Sequence, residues 1–225
     1  MTIRCILMLI VVSLALLASC IVSDRITTIT IQPDGSADLV KFQSNIRSTE
    51  KGEKGAQELK QFVEEFDAHK DADFLRITQS GGKVLEASWL RREEPYANFL
   101  FAKFPSAAAF LEFCTLKDDK GVTIGRPRFT QDGKRRRLSI EIAVPKDQKQ
   151  DNGSKPTIQE WRQEQANGIS ETRVAVSGGQ IIDSRGFTVA GDKRSALLNP
   201  EELRDLIRTK REKVELFIEW ELAGN

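Results

Sequence analysis

Apolar and polar positions alternate with period two over much of the chain, and turn residues separate the alternating stretches. Ile26 to Ile31 is a β-branched run, and a second run extends from Ala37 to Ile46 beyond Pro33, Asp34, Gly35 and Ser36. Pro-Asp-Gly between such runs predicts a hairpin, with Val40 and Phe42 toward the core and Lys41 and Gln43 on the other side. Gly55 to Lys70 changes period: Leu59, Phe62, Val63 and Phe66 form one helical stripe. Phe74 to Thr78 and Val84 to Arg91 flank Ser80, Gly81 and Gly82, which predicts another hairpin. Tyr96 to Phe104 reads as a strand, and Ala107 to Thr115 as a short helix capped by Ser106.

Gly121 to Thr130 and Arg135 to Val144 join across Gln131, Asp132, Gly133 and Lys134 as a third hairpin. Residues 146–155 contain no apolar side chain and read as an exposed loop, placed at 145–156. Thr157 to Asn167 has a cap and a glycine stop, so a helix is expected there. Val174, Val176 and the run from Ile181 to Val189 flank Ser177, Gly178 and Gly179, a further hairpin signal. Asn199, Pro200, Glu201 and Glu202 combine a cap, a proline and two acids at a helix start, and that helix is expected to reach about Thr209. Lys213 to Leu222 closes as a strand, with Val214, Leu216, Ile218, Trp220 and Leu222 on one face. The expected fold is α+β: one domain over 26–225, a mainly antiparallel sheet of hairpins with about four helices packed on it.

The first residues follow a different rule. Arg4 precedes an apolar run from Cys5 to Leu17, and small residues follow, the order found in secretory signal peptides. Leu17, Ala18, Ser19 and Cys20 resemble the lipobox of bacterial lipoproteins. That resemblance implies cleavage before Cys20 by the lipoprotein signal peptidase, which reads Leu17, Ala18 and Ser19, and acylation of the Cys20 sulfur. Residues 1–19 are then the signal peptide, and 20–25 a lipidated cysteine and short tether, with the domain on the extracytoplasmic face of a bacterial membrane. One acyl chain binds a membrane only marginally, whereas the two or three that the resemblance implies hold it stably. Two other readings remain: an uncleaved membrane helix over Cys5–Val22, at the lower length limit for spanning, and a freely secreted chain.

Charge and cysteine content narrow the chemistry. The chain holds 34 basic and 33 acidic residues, and Arg4 leaves with the signal, so the mature form is neutral and has no long-range attraction for nucleic acid. Of three cysteines, Cys5 leaves and Cys20 is acylated; Cys114 remains, set among Phe110, Leu111 and Phe113 as a small hydrophobe. The single histidine, His69, lies at the end of the first predicted helix, where a cation suits the dipole. One histidine and one cysteine do not make a zinc site. No catalytic residue, metal or cofactor is assigned. Acidic pairs such as Glu64-Glu65, Glu93-Glu94, Asp118-Asp119 and Glu201-Glu202 read as solvated charge. The one local charge run, Lys134, Arg135, Arg136 and Arg137, with Arg126 and Arg128 nearby, is a candidate contact for anionic lipid headgroups or a charged hairpin tip that discourages edge pairing.

Ile29 to Ala37, with its Asp-Gly-Ser turn between strands, and the stretch from Gly178 to Gly186 resemble the mycobacterial LppM-type lipoprotein domain. That resemblance implies an envelope role and no defined reaction. The expected function is therefore a non-catalytic binding or scaffold module held at a membrane through Cys20, with an envelope protein as partner. A carrier of an apolar ligand such as a lipid and a carboxylate-based envelope hydrolase are the alternatives.

Overall fold

The computed structural model describes residues 21–117, 123–143, 170–199, 202 and 213–223. Strands β1 (Ile21–Ile31), β2 (Ala37–Ser48), β3 (Lys83–Arg91), β4 (Tyr96–Phe104), β8 (Ser170–Val176), β10 (Phe187–Val189) and β11 (Ser195–Leu198) form a seven-stranded sheet. Its order is β10-β11-β8-β1-β2-β4-β3. A five-stranded sheet of order β5-β6-β7-β12-β9 contains β5 (Leu116–Lys117), β6 (Thr123–Asp132), β7 (Arg135–Ala143), β9 (Gly179–Arg185) and β12 (Lys213–Leu222). Helices α1 (Gly52–Asp67), α2 (Ala72–Gln79) and α3 (Ala107–Cys114) complete the described elements.

One core joins the parts. Ile31, Leu39, Leu100, Ala102, Phe104, Val174 and Val176 of the large sheet meet Leu138, Ile181, Ile218 and Trp220 of the small sheet. Phe66, Phe74, Ile77 and Phe110 enter the same cluster from the three helices. Phe104 tilts against Phe110 and Phe113 at centroid distances of 5.8 and 4.7 Å, so α3 is pinned where the sheets converge. Large side chains such as Trp220, Phe104 and Phe110, at 1% exposure or less, each contribute about 1.5–3 kcal/mol by burial.

The single mainly antiparallel sheet with four helices is corrected on several counts. There are two sheets, strands hold 58% of the described residues, and β1 pairs β8 in parallel. Of the four expected helices, the two over Gly55–Lys70 and Ala107–Thr115 are present as α1 and α3. Those expected over Thr157–Asn167 and from Asn199 to Thr209 fall largely outside the described residues. At Asn199 itself, Oδ1 accepts from the Glu202 N–H at 3.1 Å, an N-cap bond.

The expected strand from Phe74 to Thr78 is helix α2. Asp71 Oδ1 accepts from the N–H groups of Asp73 and Phe74 at 2.8 and 3.2 Å, and the i, i+3 pair Phe74 and Ile77 is buried while Leu75 is exposed. The cap and the helical spacing outweigh a short apolar run. Strand β3 consequently pairs with β4. The expected hairpin across Ser177 to Gly179 also fails: β8 lies in the large sheet and β9 in the small one. The facing of β2 is reversed as well. Leu39 and Gln43 are buried at 2% and 7%, Lys41 pairs with Asp73 of α2, and Val40 points outward. Residues 21–25, expected as a tether, already belong to β1.

Gly35 and Gly133 both adopt positive φ, +83° and +54°. A Cβ at Gly35 would lie 2.7 Å from Ala107 Cβ and from the Phe129 ring, whereas nothing lies within 4 Å at Gly133. Gly133→Ala is therefore expected to cost the backbone term alone, about 1–2 kcal/mol. Gly35→Ala should cost clearly more, read as a lower urea midpoint at unchanged m-value.

Candidate functional site

Three groups of sequence candidates can be placed: the start of β1, the basic hairpin, and the scattered titratable residues. Leu17, Ala18, Ser19 and Cys20 lie outside the described residues. The next residue, Ile21, opens β1 and pairs with Ser48, and Val22 pairs with Arg47. A bulge between Val22 and Asp24 follows, where Ser23 is buried and its Oγ accepts from Arg25 Nε at 2.9 Å. Opposite, Asn45 at φ +53° donates from Nδ2 to Asp24. The chain thus enters the sheet directly after position 20, with its backbone already hydrogen-bonded to β2.

The basic run divides by strand alternation. Arg136 points inward: its Nε donates to the Pro33 carbonyl at 2.9 Å, and one terminal nitrogen donates to the carbonyls of Gly133 and Arg135. It bolts the β6–β7 tip to the β1–β2 turn. Arg137 points to the outer face of the small sheet. Its guanidinium lies 3.7 Å from the Phe217 ring centroid and bonds Glu215 and Glu219 at 3.2 and 3.3 Å. Arg135 reaches Glu219 at 3.9 Å. Lys134 is exposed, with no side-chain partner among the described residues.

The cause is the pairing of β7 with β12, which sets Glu219 opposite Arg137 and Glu221 opposite Arg135. Glu215 and Glu219 alternate at the period of Arg135 and Arg137, so the signal is in the sequence, but only once the two strands are known to be neighbours. Farther along, Lys213 bonds Glu141 at 2.8 Å and holds that carboxyl below its ordinary pKa, with Arg128 and Arg126 assisting. Because the tip is fastened to Pro33 and β1 runs from Ile21 to Ile31, the tip and Ile21 lie at opposite ends of that strand, about 34 Å apart.

The titratable candidates do not converge. His69, exposed after α1 at φ +55°, stacks on Phe74 at 4.4 Å. Cys114 ends α3, and burial pushes its thiol up to about 12, which leaves it protonated and poorly nucleophilic at neutral pH. Burial also raises the Asp71 carboxyl, whose Oδ1 is committed to capping α2. Among the described residues no group of three or more His, Cys, Asp or Glu side chains is arranged to hold a metal ion, and no helix is long and apolar enough to cross a membrane. Among the described residues two buried donors have no partner, Asn98 Nδ2 and Trp220 Nε1, and they belong to different sheets.

Arg137→Ala removes a stacked guanidinium and two partly exposed ion pairs, so a loss of about 1–2 kcal/mol is expected. Lys134→Ala should stay within about 0.5 kcal/mol, and Arg137→Lys should recover little because an ammonium lacks the planar fork. Chemical denaturation of the three variants separates these outcomes. Cys114 gives a pH test. Its folded pKa is raised, so the stability it contributes is fully present below the reference value of 9.0 and is lost as pH rises through about 12. At pH 8, well below that window, iodoacetamide should alkylate Cys114 slowly in the folded protein and rapidly in urea; equal rates would contradict the burial.

No family model matches the chain, and no curated protein matches it. Among solved structures, the NMR structure of the folded domain of the Mycobacterium tuberculosis LppM protein is similar, with a TM-score of 0.41 and 10% identity. The likeness covers 90% of this chain and 91% of that one, and at that TM-score it assigns neither family nor function.

Proposed function

We propose that the chain is a lipid-anchored envelope protein whose domain serves as a non-catalytic binding or scaffold module beside the membrane. The observation that carries this reading is the junction at position 20. A lipobox-like Leu-Ala-Ser-Cys is followed, with no intervening linker, by a strand that has sheet partners on both sides. Acyl chains on Cys20 would hold the sheet itself at the bilayer, with little freedom to swing. The basic tip lies at the other end of β1, and exposed Lys134 is the charge it offers to an envelope protein with acidic groups. Two features speak against the hydrolase alternative: Asp71 is occupied as a cap, and Glu215 and Glu219 are bound by Arg137.

Detergent phase partitioning of the full-length protein, purified from membranes, tests the anchor. The wild type should enter the detergent phase and begin at an acylated Cys20. Cys20→Ser should remain unprocessed, starting at Met1. A wild-type protein that starts at Met1, or stays aqueous with a free thiol at position 20, would sink the reading.

A further inference from the structure

The seven-stranded sheet has two faces, and the described helices and the small sheet all pack on one of them. Leu39, Leu100, Ala102 and Val174 belong to that inner face. The outer face can be read in rows from the pairing register across β1, β2, β4 and β3. The polar pair Asp24 and Ser44 lies nearest the start of β1; the row after it is Ile26, Phe42, Phe99 and Ser88, then Thr28, Val40, Phe101 and Glu86, then Thr30, Asp38, Lys103 and Lys83. Ile26 and Val40 are 43% and 44% exposed, and the three phenylalanines are partly exposed. Leu90, 58% exposed, adds to the apolar surface on edge strand β3. On the other flank, the mutually paired Glu171 and Arg173 of β8 border the patch.

The apolar rows form a band with polar positions at both ends: Asp24 and Ser44 come before the row of Ile26, and Asp38, Lys103 and Lys83 come after the row of Val40. A contiguous exposed apolar patch bordered by charge marks an interaction surface. Residues 1–20 lie outside the described residues and β1 begins at Ile21, so the row of Ile26 lies about 17 Å along the strand from Ile21. The small sheet offers the opposite chemistry on its own outer face, where Arg135 and Arg137 interleave with Glu215 and Glu219.

We infer that the outer face of the seven-stranded sheet rests on the lipid surface that holds Cys20, with Ile26, Val40, Phe42, Phe99 and Phe101 in the headgroup–acyl boundary. The inference rests on acylation of Cys20, since the anchor supplies the proximity and the apolar rows supply the orientation. Burial of apolar side chains at the interface is favourable in proportion to their area. The sheet then lies along the membrane, and the small sheet becomes the layer facing away from it.

The test uses the full-length acylated protein in a Cys114→Ala background, reconstituted into phosphatidylethanolamine–phosphatidylglycerol vesicles containing doxyl-labelled lipid. An environment-sensitive fluorophore is attached through Val40→Cys or, as a control on the small sheet, through Ile182→Cys, since Ile182 is 47% exposed on β9. Vesicle flotation is run first. Failure to float defeats the anchor and this inference with it. Given flotation, the label at position 40 should shift its emission to the blue and lose most of its intensity to the lipid quencher, while the label at position 182 keeps its intensity. Equal, weak quenching at both positions overturns the inference and leaves the anchor intact. Pyrene excimers at position 40 without lipid quenching would assign the face to a second copy of the chain, and would overturn the inference as well.

Discussion

Strand β1 must satisfy two neighbours of opposite direction, and the architecture follows from that requirement. It pairs antiparallel with β2 from Ile21 to Ile31 and parallel with β8 from Arg25 to Ile31. A parallel neighbour cannot be reached by a tight turn, so the chain must build β2, the helices, β3, β4 and most of the small sheet before it returns as β8. Ile31, fully buried, sits where both ladders end, and its carbonyl accepts from the Ser177 N–H as the chain leaves β8 for the small sheet. The two sheets are therefore tied together at one end of β1, while the other end opens at position 20.

This division explains what could be read from the residues. Local features were legible: the β1–β2 and β6–β7 hairpins, helices α1 and α3, the inward face of β12. Their signals lie within one turn or one alternation, as with Asp34, whose carboxylate takes the Ser36 N–H at 2.9 Å and is held below its usual pKa by the two Ser36 bonds. Non-local features were not. The Gly178-Gly179 turn looks like a hairpin, yet β8 and β9 separate because the small sheet offers β12 as a partner for β9. The identity of the β12 neighbour also decides the basic run. From the sequence, Lys134 to Arg137 is four like charges at a tip; in the fold, three of them have partners more than seventy positions away.

The reversed face of β2 teaches a narrower point. Val40 and Phe42 look like core positions, but Ala37, Leu39 and Gln43 share the opposite face with Ile29, Ile31, Leu100 and Ala102. Period-two alternation identifies which residues go together and not which set goes inward when both sets contain apolar residues. The buried set is chosen by what arrives to cover it: α1 and α2 lie over Gln43 and Lys41, and Lys41 gains Asp73 as its counter-charge. An interior charge with a partner is tolerable, whereas the same lysine beneath the helices without Asp73 would not be.

The same logic separates the two outer surfaces. On the small sheet, the basic side chains that alternation turns outward from β7, Arg135 and Arg137, find acids on β12. On the large sheet, Ile26, Val40, Phe42, Phe99 and Phe101 share neighbouring rows and are all at least partly exposed. Side chains of this kind have no polar group for water to hydrogen-bond, and their exposure is unfavourable unless something apolar meets them. The fold thus places its electrostatically satisfied layer and its unsatisfied apolar layer on opposite sides. That is the asymmetry expected of a domain that has one side to lay down and one side to present.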